Sequence, residues 1–492
     1  MPENRSFSPA GRSATGWDPD TAGLISLAGA ANLTAGQVRE LYRRFVDGGQ
    51  IRPMTSFGCG DSLTDRAEGV WLYTRDGRRI LDFASGAAGF SHGHNHPSIV
   101  AARLRYAERR RMEVHKTYFS PYLAALGHNL ATILPGDLCL SFFPNSAAEA
   151  IEGAVKLAYK YHGGTRNTIL CSDIADHGRL LGSGSLSAGN KGRYPEIPGV
   201  ARYHYDSTES VRSAITRATK SGNCDVYAIL VEPFSSSTAR QCSKQFLRDL
   251  RELCTAGKIV LIFDETRTGL GRTGSLFHFT RHPGLIPDVL AISRSFGGGK
   301  SSVSAYVARK RIFRQSYDNL ADSLLHSTST TYYGFGEENA TAIEAIRIAV
   351  EHDYPRRARD IQDVLAPGLA RIQRSCPGTI SEIRGCGATF GVMLDYSDEV
   401  VKVAGKALPS GLTDNRDFVA KLTSAAVLDA LYKNHGILAH QGLHGRLPVL
   451  IGPPLIAEPE HVERFLDGFE AALADGLPRL LTKFLGEKAT TL

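Results

Sequence analysis

Apolar positions along the chain change their spacing several times, and each change outlines an element. From Thr34 onward, Val38, Leu41, Tyr42 and Phe45 recur at helical intervals behind a threonine suited to cap a first turn, which predicts an amphipathic helix. Between Gly69 and Phe83 the pattern shortens: Val70, Leu72 and Tyr73, then Asp76-Gly77, then Ile80 and Leu81 predict two strands joined by a tight turn. From about residue 120 to 310 short apolar runs alternate with helical patterns: Leu140–Phe143, Thr168–Cys171, Ala228–Val231, Val260–Phe263, Val289–Ile292 and Ser304–Val307. Such alternation predicts a mostly parallel sheet covered on both faces, with ligands gathering at the carboxyl ends of its strands. After about residue 345 come amphipathic helices, a strand over Thr389–Leu394 and a closing helix over Pro459–Leu473.

The expected architecture is α/β, with a large domain over residues 86–345 and a smaller α+β domain built from both chain ends, residues 26–85 and 346–492. Residues 1–25, rich in Ser, Gly, Pro and charge, read as a disordered tail.

Composition narrows the function classes. A chain of 492 residues, 42% hydrophobic and 22% charged, has ample apolar surface for a large core, and no apolar stretch matches a membrane span or a signal peptide. The eight cysteines lie far apart, with no C-x-x-C pair and no clustered histidines, so they read as reduced thiols in a cytoplasmic protein without a metal site. The formal net charge of +7 includes a basic segment, Arg103 to Lys116, within a predicted helix. Elsewhere basic residues interleave with acids and no nucleic-acid motif accompanies them, so the segment reads as a solvated face and the excess suits an anionic small molecule.

Three segments could carry chemistry. Phe143-Pro144-Asn145-Ser146-Ala147-Ala148-Glu149-Ala150 ends a strand and opens a helix; its small residues either cap the helix or offer backbone N–H groups to a phosphate. In Leu261-Ile262-Phe263-Asp264-Glu265-Thr266-Arg267, an aspartate ends a strand placed mid-sheet; it either caps the following loop or pairs with a protonated heterocyclic nitrogen. In Ile292-Ser293-Arg294-Ser295-Phe296-Gly297-Gly298-Gly299-Lys300, a triple glycine forms a hinge or lets backbone approach a ligand.

With these segments, the chain resembles the class III aminotransferases, the fold-type I, pyridoxal-phosphate-dependent group that includes putrescine, ornithine and acetylornithine aminotransferases. The resemblance runs from Gly69 to Leu473, through Gly69-Val70-Trp71-Leu72-Tyr73, Gly93-His94-Asn95-His96-Pro97, Asn145 to Ala150, His177-Gly178-Arg179 and Val231-Glu232-Pro233. It continues through Asp264-Glu265, Gly271-Arg272-Thr273-Gly274, Pro287-Asp288, the triple glycine and Gly452-Pro453-Pro454-Leu455. The resemblance implies a cofactor phosphate on Ser146, Ala147 and Ala148, helped by Thr330 or Thr331 of a partner subunit in a homodimer, with Asp264 on the pyridinium nitrogen; Thr266, at a position usually apolar in the family, is a further cofactor-binding candidate.

The family's catalytic lysine, three positions before the triple glycine, corresponds to Arg294. Lysine bonds covalently to the cofactor and later shuttles a proton, tasks closed to a group that stays charged. The ring-stacking aromatic corresponds to Asp176, a usual glutamine to Arg267, a Gly-Glu-Gly segment to Phe234-Ser235-Ser236-Ser237, and a substrate-binding arginine falls near Leu450. The implied cofactor is pyridoxal 5'-phosphate or its amine form, held without a covalent link unless Lys300 replaces the missing amine. Two readings follow. One is an enzyme of altered chemistry on an amine or amino-acid-like substrate, with Arg294 orienting an anionic group and Asp176 or His177 moving protons. The other is a catalytically silent, aminotransferase-shaped binding or scaffolding subunit.

Overall fold

The computed structural model describes residues 23–51, 59–60, 62–115, 117–190, 192–318, 331–407, 416–442 and 448–488. They belong to two compact units that meet in sequence at Leu63 and Thr64. The proposed tail, residues 1–25, lies almost wholly outside the described residues.

In the first unit the expected helix is present over Ala35–Leu41. Thr34 Oγ1 accepts from the Gln37 N–H at 3.3 Å while Gln37 Oε1 accepts from the Thr34 N–H at 2.9 Å, so each end of this capping box satisfies an orphan donor. The chain then widens into a π-type turn, Tyr42–Val46. That turn takes Phe45 off the stripe of Val38 and Leu41, and Phe45 is 68% exposed.

The second unit is built on a seven-stranded sheet. Its spatial order is Leu138–Phe142, Ala305–Arg309, Val289–Ile292, Val260–Glu265, Val226–Val231, Thr168–Ser172 and Val200–Tyr203. Ala305–Arg309 runs antiparallel to both neighbours; the other adjacent pairs are parallel. A central strand of such a sheet must be apolar on both faces, and every residue of Val260–Glu265 is buried. Ile262, Val289, Ala228 and Leu230 pack with Ile151, Ala154, Leu157 and Ala158 of the helix Ala147–Tyr161. Each large aliphatic side chain so covered contributes about 1.5–3 kcal/mol before the entropy of ordering is counted.

All six expected strands of this region occur: Val289–Ile292 has the expected bounds, and no end of the others lies more than two residues from its expected place. The edge strand Val200–Tyr203 escaped the sequence pattern because its four residues carry no apolar alternation. The polar strand Thr64–Glu68 escaped for the same reason; it pairs with Trp71–Thr74, the first arm of the expected hairpin. The basic segment departs from expectation. Its helix, Pro97–Glu108, stops before Arg109, and Arg110 takes φ 48°, so only Arg103 and Arg105 ride on it; Lys116 lies outside the described residues.

Two smaller sheets use the end of the chain. Ile437–Leu438 adds in parallel to Arg79–Asp82, so the hairpin sheet joins both chain ends. One residue later His440–Gln441 pairs with Val449–Ile451 in the sheet that also holds Ile380–Cys386 and Thr389–Leu394. The chain thus crosses between sheets at Ala439, and the crossing places His440.

Gly153 lets the helix Ala147–Tyr161 lie against the fully buried Tyr306, whose Cε1 is 2.3 Å from where a Cβ on residue 153 would sit. Gly153→Ala should therefore cost about 1–3 kcal/mol, read as a lower urea midpoint with unchanged slope.

Candidate active site

The carboxyl ends of the parallel strands open into a cleft of about 770 Å³. Val260–Glu265 is the fourth of seven strands, and its end carries Asp264. Strands on either side deliver the other walls: Thr168–Ser172, two places away, leads to the loop of Asp176, His177 and Arg179, and the adjacent Val289–Ile292 leads to Arg294. The helix Ala147–Tyr161 points its N-terminus at the same space, where Ser146, Ala147 and Ala148 line the wall.

Behind the cleft lies an ion pair. His177 Nδ1–H donates to Asp264 Oδ2 at 2.7 Å, with the two side chains only 0% and 3% exposed. Asp264 Oδ1 accepts from the Thr266 N–H at 2.9 Å. Burial alone would push the Asp264 carboxyl up, but the hydrogen bond and charge of His177, with Thr266, hold it below the ordinary carboxylate value. Burial likewise favours neutral His177, and Asp264 overrides it, raising the imidazole above its usual 6.5. His177 Nε2 is enclosed and has no partner among the described residues. His177 and Thr266 face the cleft, with the Asp264 carboxylate set behind them.

A third acid borders this pair. Glu232 accepts from the Asp176 N–H at 3.2 Å and from the Ser236 N–H and Oγ–H at 3.3 Å each. Burial pushes its carboxyl up to about 7; His177 opposes that shift, and Asp264 and Asp176 add to it.

The cleft walls are mainly cationic. Asp176 Oδ2 receives Arg267 Nη2 at 2.9 Å. Arg294 opens a short 3-10 turn, Arg294–Gly297, in the left-handed region at φ 56°, a strain of about 1–3 kcal/mol for a residue with a side chain. It is half-buried, and its side chain makes no hydrogen bond or ion pair among the described residues. Burial, then the charge of Arg267, pulls its guanidinium down to about 10.

The sequence-derived candidates divide as follows. Arg294, Asp176, His177, Thr266, Ser146, Ala147 and Ala148 come together around one cleft, with Asp264 behind it. Ser146 also caps its helix, Oγ accepting from the Glu149 N–H at 3.2 Å, so its capping and lining roles coexist. Lys300 reaches the cleft mouth but is exposed, and its carbonyl accepts from Arg103 Nη1 at 3.0 Å. Thr331 is exposed and outside the cleft of its own chain, and Thr330 lies outside the described residues. Leu450 is buried in the strand Val449–Ile451. His440 also lines the cleft, and sequence reasoning missed it. A lone histidine in a two-residue strand carries no motif, and only the crossing at Ala439 brings it to the arginines.

Comparison with known proteins is consistent along the length of the chain. Residues 60–473 match the family described as Aminotransferase class-III. An acetylornithine aminotransferase from Agrobacterium fabrum is 30% identical over 422 residues, covering 83% of this chain and 93% of that protein. Among solved structures, the ornithine aminotransferase of Toxoplasma gondii ME49 superposes with a TM-score of 0.72 at 24% identity, covering 90% of this chain and 97% of that one. A transaminase from the marine bacterium Virgibacillus gives 0.74 at 20% identity, covering 85% and 94%. At those identities the structural likeness speaks to the fold.

The Asp264–His177 pair makes a signed prediction. Raised His177 stabilises the fold fully below pH 6.5 and loses that contribution as pH rises through its folded value; depressed Asp264 stabilises above pH 3.8 and loses it on acidification. The stability lost in His177→Gln, read from urea midpoints, should peak between those two values and shrink on either side. A pH-independent difference would rule out the charged pair.

Proposed function

The chain belongs to the class-III aminotransferases, and from that premise we propose that it is a pyridoxal-phosphate-dependent enzyme with an altered active site. It acts on an amine or amino-acid-like substrate by chemistry other than lysine-borne transamination. The observation that carries this reading is a buried, ionised acid at the sheet centre behind a cleft in which an unpaired arginine stands.

The residues present suit the cofactor at both ends. The first turn of the helix Ala147–Tyr161 faces the cleft with N–H groups that have no partner within the helix, a setting suited to a phosphate, and Ser146 adds a hydroxyl. Asp264, held ionised by His177, supplies the negative charge that a pyridinium nitrogen calls for. When bound, pyridoxal phosphate contributes an electron-withdrawing ring; the protein contributes position and charge. Asp176 adds no aromatic surface, and its ion pair with Arg267 ties together the two loops flanking Asp264. Arg294 favours a substrate that brings a carboxylate or another anion, because a half-buried guanidinium without a partner among the described residues gains most from one, and Arg267 and Arg179 add positive charge to the same cleft. The family resemblance supports a homodimer in which Thr330 or Thr331 of one subunit reaches the other's phosphate, and the dispersed cysteines support a cytoplasmic location.

Arg294 also favours a second reading, an aminotransferase-shaped binding or scaffolding subunit without turnover. Absorption spectroscopy separates the two. With added pyridoxal phosphate, the protein should develop a visible band that gel filtration removes and that borohydride does not fix to the chain. Arg294→Lys should make the label covalent at residue 294 and raise transamination by roughly 10²–10⁴-fold, the usual worth of acid–base assistance. Label at Lys300 in the unaltered protein would overturn non-covalent binding. No band at any concentration would leave the scaffolding reading.

A further inference from the structure

We infer that the His440 imidazole is the group that moves protons in this cleft, and that an anion bound among the surrounding arginines makes it a stronger base. The inference rests on the reading of the cleft as a cofactor site acting on an amine.

The other candidates are occupied. Arginine does not give up its proton at working pH. His177 holds Asp264 through Nδ1, and its Nε2 is sealed from solvent. Asp176 is committed to Arg267, and Lys300 stands exposed at the mouth. His440 is half-buried, lines both the cleft and the small cavity beside it, and its ring makes no hydrogen bond among the described residues. Its backbone is held by pairing with Leu450, so the ring is carried by a sheet rather than a free loop.

Burial first, then Arg267, Arg294 and Arg179, drives this imidazole down to about 4, so its lone pair is free at neutral pH. The three arginines come from three different loops; the walls of its own sheet, Thr389, Leu450 and Ile451, add no charge. A base so weak is poorly matched to abstracting a carbon-bound proton. A carboxylate resting on Arg294 and Arg179 cancels part of their field, and the imidazole then recovers basicity only when a substrate is in place. In the step proposed, the C–H bond at the substrate's nitrogen-bearing carbon breaks and the proton bonds to an imidazole nitrogen. The electron pair is left on that carbon and the reverse transfer returns the proton; bound pyridoxal phosphate would supply the electron-withdrawing ring that makes this carbon acidic, once the substrate amine had condensed with its aldehyde and released water.

Two measurements test this. Proton NMR titration of the protein without cofactor, with His440→Gln identifying the resonance, should place His440 well below 6.5 and show an upward shift when succinate is added. No shift with succinate would overturn the anion effect. With pyridoxal phosphate in D2O, the Cα proton of L-glutamate should exchange, and His440→Ala should slow it about 10²-fold or more with unchanged cofactor affinity, partly rescued by free imidazole. Exchange at the unaltered rate in His440→Ala would sink this inference and leave the cofactor reading standing. If the unaltered protein binds no cofactor, that reading fails as well.

Discussion

A carboxylate cannot remain charged at the centre of a buried sheet without a partner, and Asp264 has one in His177. The desolvation cost of each ion is several kcal/mol, and their attraction offsets it only because the geometry is close and the remaining oxygen of Asp264 is met by the Thr266 N–H. This pair fixes what surrounds it. It orients the loop that carries Asp176 and joins that loop to the end of the central strand; burial, against the opposing charge of His177, keeps the neighbouring Glu232 carboxyl raised. Changing either member would leave a buried charge alone.

In front of that negative centre the cleft presents the opposite sign. Arg179, Arg267 and Arg294 converge on it from three strand ends, and only Arg267 has an acidic partner within the described residues. The strained backbone at Arg294 is consistent with a position that the surrounding sheet over-determines. The site thus carries a layered charge, a buried anion beneath a rim of cations. Such a field favours a ligand that is cationic at its inner end and anionic at its outer end, as a protonated heterocycle bound with an amino acid would be.

The rigidity behind this arrangement is ordinary packing. Val260–Phe263 is apolar on both faces of the sheet, and the helix Ala147–Tyr161 lies so close to Tyr306 of the strand Ala305–Arg309 that a glycine is required at position 153. Arg272, entirely buried, spends its guanidinium on the Ala388 and Pro453 carbonyls and the Ser91 hydroxyl, which ties the loop after the central strand to the smaller sheets. The loops that carry the charged groups therefore stand on a frame with little freedom to rearrange.

Much of this was legible in the chain itself. Apolar runs such as Val260–Phe263 report their strands because burial on both faces demands an unbroken stretch of apolar residues, and the ordered landmarks from Gly69 to Leu455 report the family. Asp264, Arg294 and Ser146 were visible as chemistry at strand and helix ends. Strand direction was not visible: nothing in Ser304–Val307 tells that Ala305–Arg309 runs against its neighbours, because direction depends on the path between strands. The polar strand Thr64–Glu68 left no periodic trace. The pairing of His177 with Asp264, 87 residues apart, and the arrival of His440 beside three arginines were likewise decided by the fold alone. Local pattern records which face of an element is buried; electrostatic partnership arises only when distant segments share the same few ångströms.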